Sequence, residues 1–331
     1  MNRRRKLVIA LGAGVLTAPL ACLSQQQGKV RRIGFLAVRS RSTPSNPDIH
    51  YDAFVQEMRR LGYVEGKSLD IEWRFADGKY ERFPALAAEL VRLKPEVIVT
   101  HTTAAGKALP QATSSIPIVM ANVADPVLAG LATNLARPGG NITGLSLMLV
   151  DLSAKYLELL KLMLPALSRV AVLANPDNPS HSVLLKNIQT AAQQLGVKVL
   201  PMDARTPEEI ERAFSTMRRE FAEAVIILSD AFLTGRRRQI SELAARYRLP
   251  LMLSYPEQVE VDGLMGYGQN LVDFYRRAAY YVDRILKGAN PGDLPMEQPT
   301  TIKLSINRRT TKALGLTIPQ ELLLRADEVF E

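Results

Sequence analysis

From residue 31 onward the chain alternates short apolar runs with amphipathic ones, and near residue 170 the alternation begins again. Ile33-Gly34-Phe35-Leu36-Ala37-Val38 is short and lacks polar side chains, the pattern of a strand covered on both faces. Residues 51–61 place Phe54, Val55, Met58 and Leu61 at helical spacing, and Gly62 stops the helix. Residues 69–73 alternate apolar with acidic side chains, which predicts a half-exposed strand. Residues 83–93 predict a second helix, and residues 97–99, 118–120 and 142–145 predict further strands. The second series repeats these roles. Residues 170–174 stand for 33–38, Leu195-Gly196-Val197 for Leu61-Gly62-Tyr63, and 225–228 for 97–99, with 251–253 and 264–267 to follow. Strands alternating with helices specify a mainly parallel sheet with helices on both faces. The expected fold class is therefore α/β: two doubly wound Rossmann-like lobes with parallel sheets, joined by a hinge. A cleft between two such lobes is a place to enclose a ligand. A two-domain glycosyltransferase shares the duplication, so the repeat alone does not separate a binder from an enzyme.

The 331 residues, 47% of them hydrophobic, can fill two cores. The net charge of +9 is unevenly spread: Arg3, Arg4, Arg5 and Lys6 supply four of the nine, with no acid in residues 1–24. The remainder is only mildly basic. Arg236-Arg237-Arg238 reads as a solvated helix start, so no nucleic-acid partner is expected. Residues 1–24 have the layout of a secretory signal: a basic start, an apolar run at 7–16, and small residues leading to Ser24 and a glutamine run. The apolar run is too short for a bilayer span. Cys22 is the sole cysteine, and a folded part without cysteine suits an oxidising compartment. Cleavage near Ser24 is the reading preferred over lipidation of Cys22, because Pro19 stands where lipoprotein signals carry an aliphatic residue. Arg4-Arg5 leaves a twin-arginine route open. The expected location is periplasmic, with membrane contact only through a lipid on Cys22.

Four segments resemble a known family. They are Arg32-Ile33-Gly34-Phe35-Leu36; Ile116-Pro117-Ile118-Val119-Met120 leading to Ala124-Asp125-Pro126-Val127; Arg137-Pro138-Gly139-Gly140-Asn141-Ile142-Thr143-Gly144; and Val261-Asp262-Gly263-Leu264 with Tyr267-Gly268. Across roughly residues 30–325 the chain resembles the substrate-binding components of bacterial ABC transporters. The resemblance implies a type I periplasmic binding protein fold with several chain crossings between lobes. It implies a signal at 1–24, a first lobe at 30–146 completed by a late segment near 270–325, and a second lobe at 147–269. It also implies a non-catalytic monomer without cofactor that captures a small molecule and delivers it to an ABC transporter permease. An amino acid or related metabolite is the candidate solute, since some members of this branch resemble binders of aromatic amino acids. An exported two-lobed enzyme and a ligand-sensing receptor module are the alternatives. Against the enzyme stand three missing motifs: a Gly-x-Ser-x-Gly elbow, a P-loop, and a Gly-x-Gly-x-x-Gly after the first strand.

Ligands of doubly wound sheets meet the carboxyl ends of strands, so the residues after each apolar run are candidates. Thr102, Thr103 and Ala104 offer hydroxyls and helix-start amides to a carboxylate, or simply cap the helix. Asp125 is a candidate ammonium acceptor, or the cap of a turn opened by Pro126. Asn175, Asp177 and Ser180 form a proline-stiffened polar rim. Ser229 and Asp230 supply a hydroxyl and a second candidate carboxylate, while Tyr255 and Tyr267 add stacking surface. His50, His101 and His181 have no metal-ligand spacing, so no metal is expected. Trp73, the sole tryptophan, reads as packing.

Overall fold

The computed structural model describes residues 30–43, 47–260 and 263–331. The expected signal at 1–24, with Cys22, and the Val261-Asp262 pair lie outside the described residues. The first series folds as β1 (Arg31–Ala37), α1 (Ile49–Arg60), β2 (Leu69–Phe75), α2 (Phe83–Arg92), β3 (Val97–Thr100), α3 (Thr103–Ala112), β4 (Ile118–Val123) and β5 (Ile142–Ser146). These strands form a parallel sheet of order β2-β1-β3-β4-β5. Ile33, Phe35, Leu36 and Ala37 are all fully buried, because helices cover both faces of β1. The second series folds as α4 (Leu149–Met163), β6 (Arg169–Ala174), α5 (His181–Leu195), β7 (Lys198–Asp203), α6 (Pro207–Arg219), β8 (Ala224–Ile227), α7 (Ala231–Gly235), α8 (Arg237–Tyr247), β9 (Leu251–Leu253) and β10 (Met265–Gly268). The chain ends with α9 (Leu271–Leu286), β11 (Lys303–Asn307), α10 (Arg308–Leu314), α11 (Gln320–Arg325) and β12 (Glu328–Phe330). The second sheet has order β7-β6-β8-β9-β10-β11-β12, parallel except where β11 runs antiparallel to β10.

Local chemistry marks the element ends. Asp48 caps α1 by accepting from the amides of His50 and Tyr51, and Gly196 ends α5 in the left-handed conformation. Gly144 has φ +137, and a Cβ there would lie 2.1 Å from the Met120 carbonyl oxygen, so only glycine lets β4 and β5 approach this closely.

The late segment is divided between the lobes, which corrects the expectation that residues 270–325 as a whole complete lobe 1. Helix α9 lies against α1 and the first sheet, burying Phe274, Tyr275, Ala278 and Val282. Asp283 of α9 accepts the Tyr63 hydroxyl at 3.0 Å. Residues 296–297 then run beside β5, where Glu297 N–H donates to Gly144 and Ser146 N–H donates to Glu297. From Lys303 the chain belongs to the second sheet, since β11 takes the free edge of β10. Three crossings therefore join the lobes, near residues 147, 269 and 300. Gln269, 2% exposed, ties them together. Its Oε1 accepts Met148 N–H from the first crossing at 3.0 Å, and its Nε2 donates to the Pro299 carbonyl of the third.

Candidate functional site

The carboxyl ends of β1, β3 and β4 in lobe 1 face those of β6, β8 and β9 in lobe 2. Arg39, just beyond β1, is the charged centre of the lobe 1 wall. Its guanidinium grips Asp48 with two hydrogen bonds and lies 4.8 Å from the centre of the Tyr51 ring. Burial opposes ionisation of Asp48, but the adjacent guanidinium outweighs it and holds the carboxyl far below its usual range. His101, after β3, accepts Val38 N–H at Nε2 (3.3 Å). That nitrogen is therefore unprotonated, and Tyr51 donates its hydroxyl to it at 3.0 Å. Burial first, and then the Arg39 charge, keep His101 neutral. Its Nδ1 carries the hydrogen.

At the start of α3, Thr102 caps the helix with its hydroxyl on Ala105 N–H. Thr102 holds φ +79, a strained conformation for a β-branched residue and one fixed here by the cap and by its N–H on the Asn122 carbonyl. The Thr103 hydroxyl reaches across to Ser180 of lobe 2 at 3.1 Å.

Asp230, after β8, organises the opposite wall and is 4% exposed. Its Oδ1 accepts the amides of Phe232 (2.9 Å) and Leu233 (3.1 Å), capping α7. Its Oδ2 accepts Asn178 Nδ2 at 3.0 Å and, from lobe 1, the Tyr80 hydroxyl at 2.6 Å. Burial and the Asp230 charge push the Tyr80 phenol up, so it stays a donor. His181 accepts Asn175 N–H at Nδ1 and donates from Nε2 to the Ser229 carbonyl, and burial keeps it neutral. The Ser229 hydroxyl is bonded to the Tyr255 hydroxyl.

Arg39, His101, Thr103, Asn178, Ser180 and Asp230 are among the groups that line a cavity of ≈ 30 Å³ between the lobes, floored by Leu147, Leu149 and Leu271. A water occupies roughly 10–15 Å³ on this measure, so the space admits a water or two and nothing larger. The lobes are shut on each other by the Tyr80–Asp230 and Thr103–Ser180 bonds. A solute of amino-acid size enters only when they part.

Of the sequence-predicted candidates, Thr102, Thr103, Ser180, Ser229, Asp230 and Tyr255 line the cavity together. The other five do not. Ala104 packs against a core cluster instead. Asp125 spends its carboxylate on the amides of Val127 and Leu128, at an outer edge of the cleft. Asn175 is buried behind Asp230, to which it donates. Asp177 is exposed and paired with Arg205. Tyr267 packs against the core within lobe 2. Arg39, His101, Asn122 and Asn178 line the cavity without having been singled out. The rule that points past each apolar run reaches Arg39 as well, once it is applied to the first strand.

The family model described as ABC transporter substrate binding protein matches residues 42–330. A tyrosine-binding protein of Clostridioides difficile (strain R20291) is 26% identical over 264 residues, 80% of this chain and 75% of that protein. The crystal structure of an ABC domain from Streptococcus pneumonia in complex with L-Trp superposes with a TM-score of 0.80 at 25% identity, covering 91% of this chain and 99% of that one. The ligand-free, open structure of a substrate binding protein from Clostridium difficile has the same identity and coverages but a TM-score of 0.61. The chain thus superposes better on the first of these structures than on the open one.

Proposed function

The chain belongs to the ABC transporter substrate-binding protein family, and from that premise we propose that it captures a free amino acid between its lobes. The family takes small-molecule solutes to an ABC importer, and the fold is that of type I periplasmic binding proteins. The observation that carries the amino-acid reading is a donor-lined wall on lobe 1 facing the buried carboxylate of Asp230 across the cleft. Lobe 1 offers Arg39, Thr103 and the amides at the α3 start to a carboxylate. Lobe 2 offers Asp230 to an ammonium, which takes the place of the Tyr80 hydroxyl as donor to Oδ2. A solute that touches both walls does so only in the closed form, so binding draws the population toward closure. The relatives that bind tyrosine and L-Trp support this class. In this reading the protein acts outside the cytoplasm, after removal of residues 1–24, and catalyses nothing. No described helix is long and apolar enough to cross a membrane.

The test is calorimetry of the chain starting at Gln25 against the common amino acids. At least one should bind, and Asp230→Asn and Thr103→Ala should each weaken it about tenfold or more, while thermal melting confirms folding. Unchanged affinity in both variants would move the site elsewhere. An amino acid recovered chemically altered would make the protein an enzyme.

A further inference from the structure

A space much larger than the closed cleft lies outside it. It is a cavity of ≈ 360 Å³ on lobe 1, between α1, the end of β2 and the loop after β1. We propose that this cavity is a second small-molecule site, one that takes a planar aromatic carboxylate between Trp73 and the guanidinium groups of Arg41 and Arg59. Its size falls in the ordinary range for ligand pockets, roughly 300–1,000 Å³, whereas the closed cleft does not. All of its walls belong to lobe 1, so it exists whether the lobes are open or shut.

The aromatic wall arises from strand periodicity. Leu69, Ile71, Trp73 and Phe75 share one face of β2. Helix α1 covers the first two, which are 1% and 7% exposed, and leaves the last two half-buried. The Trp73 and Phe75 rings lie 5.7 Å apart and only 5° from parallel, stacked in one orientation. Trp73 is fixed from behind by Phe35, at 4.4 Å between ring centres, and at its edge by Glu65, which accepts Nε1–H at 3.3 Å. A rigid, partly open aromatic plane stacks a ligand ring at little entropic cost.

The rim supplies guanidinium donors for an anionic group. Arg31, Arg32, Arg60, Arg74 and Arg82 of the same lobe all hold carboxylate partners. Among the described residues, Arg41 and Arg59 hold none, and both line the cavity. Asp52 and Glu65 line it too, so the four charges of the lining sum to zero, and the carboxylate would be received by the two guanidinium groups directly, not by an excess of positive charge. Two guanidinium groups beside an aromatic plane match a carboxylate attached to a ring.

Because Trp73 is the only tryptophan, its fluorescence reports on this cavity alone. The probe is 4-nitrobenzoate, which quenches indole on contact and has no ammonium for Asp230, so cleft capture and this site are read separately. The expected result is saturable quenching at one site per chain. The Arg41→Ala/Arg59→Ala variant should weaken it about tenfold or more and leave amino-acid capture in the cleft unchanged, while Asp52→Asn should tighten it. Calorimetry with Trp73→Phe, which keeps the aromatic plane, should still detect the probe. Quenching that never saturates, or saturable quenching that survives loss of both arginines, overturns the proposal.

Discussion

His101 and His181 are both held neutral by burial, and each uses its unprotonated nitrogen to accept a backbone N–H. Their folded pKa values lie below the ordinary 6.5, so the unfolded chain binds more protons than the native one at mildly acidic pH. Stability is complete above about 6.5 and is lost as pH falls through that value toward the lowered folded pKa. Melting temperature should therefore drop between pH 7 and pH 5, and His101→Gln should make that drop smaller. A pH slope identical in wild type and variant would assign the loss to other groups. At this scale the sequence reads unevenly. Thr103 and Asp230 are legible because a polar residue after a buried strand has few places to go. Asp125 and Asp177 satisfy the same rule but are taken by the Val127 and Leu128 amides and by Arg205. Whether a loop carboxylate is spent locally is decided by turn geometry, which periodicity does not encode.

The elements themselves were mostly legible. The apolar runs at 33–38, 97–99 and 225–228 coincide with β1, β3 and β8, because strands covered on both faces have no polar positions to blur them. Strands β11 and β12 were not foreseen, and the pairing of Lys303–Asn307 with β10 is a long-range choice invisible in local pattern. The apolar stripe of α9 shows that it is buried but not against which lobe. Element packing also gives a sharp contrast between two glycines. Gly144→Ala drives a Cβ into the Met120 carbonyl and should cost about 3 kcal/mol or more, measured by denaturant unfolding. Gly140→Ala, at φ +63 with nothing within 4 Å, should cost only the left-handed strain of about 1–2 kcal/mol. Equal losses would show that the β4–β5 approach is soft.

For the whole molecule, the balance between open and shut rests on few contacts. The Tyr80 hydroxyl on Asp230 is a hydrogen bond to a charged acceptor, of a kind that contributes about 1.5–3 kcal/mol. Tyr80→Phe removes it and should shift the ligand-free population toward open by roughly tenfold to a hundredfold. Small-angle scattering should then show a larger radius of gyration without solute, while affinity should not fall, because the solute's ammonium replaces this bond. An unchanged radius would mean the bond forms after closure rather than holding it.

The three crossings bound by Gln269 also set when the protein can fold at all. The α1 face of lobe 1 stays uncovered until α9 has been made, after nearly all of lobe 2. The second sheet in turn waits for Lys303–Asn307 and Glu328–Phe330. A nascent chain leaving the ribosome therefore carries two unfinished cores until its last residues appear. Native contacts of such long sequence separation form slowly. Both lobes are therefore committed to a single late folding event.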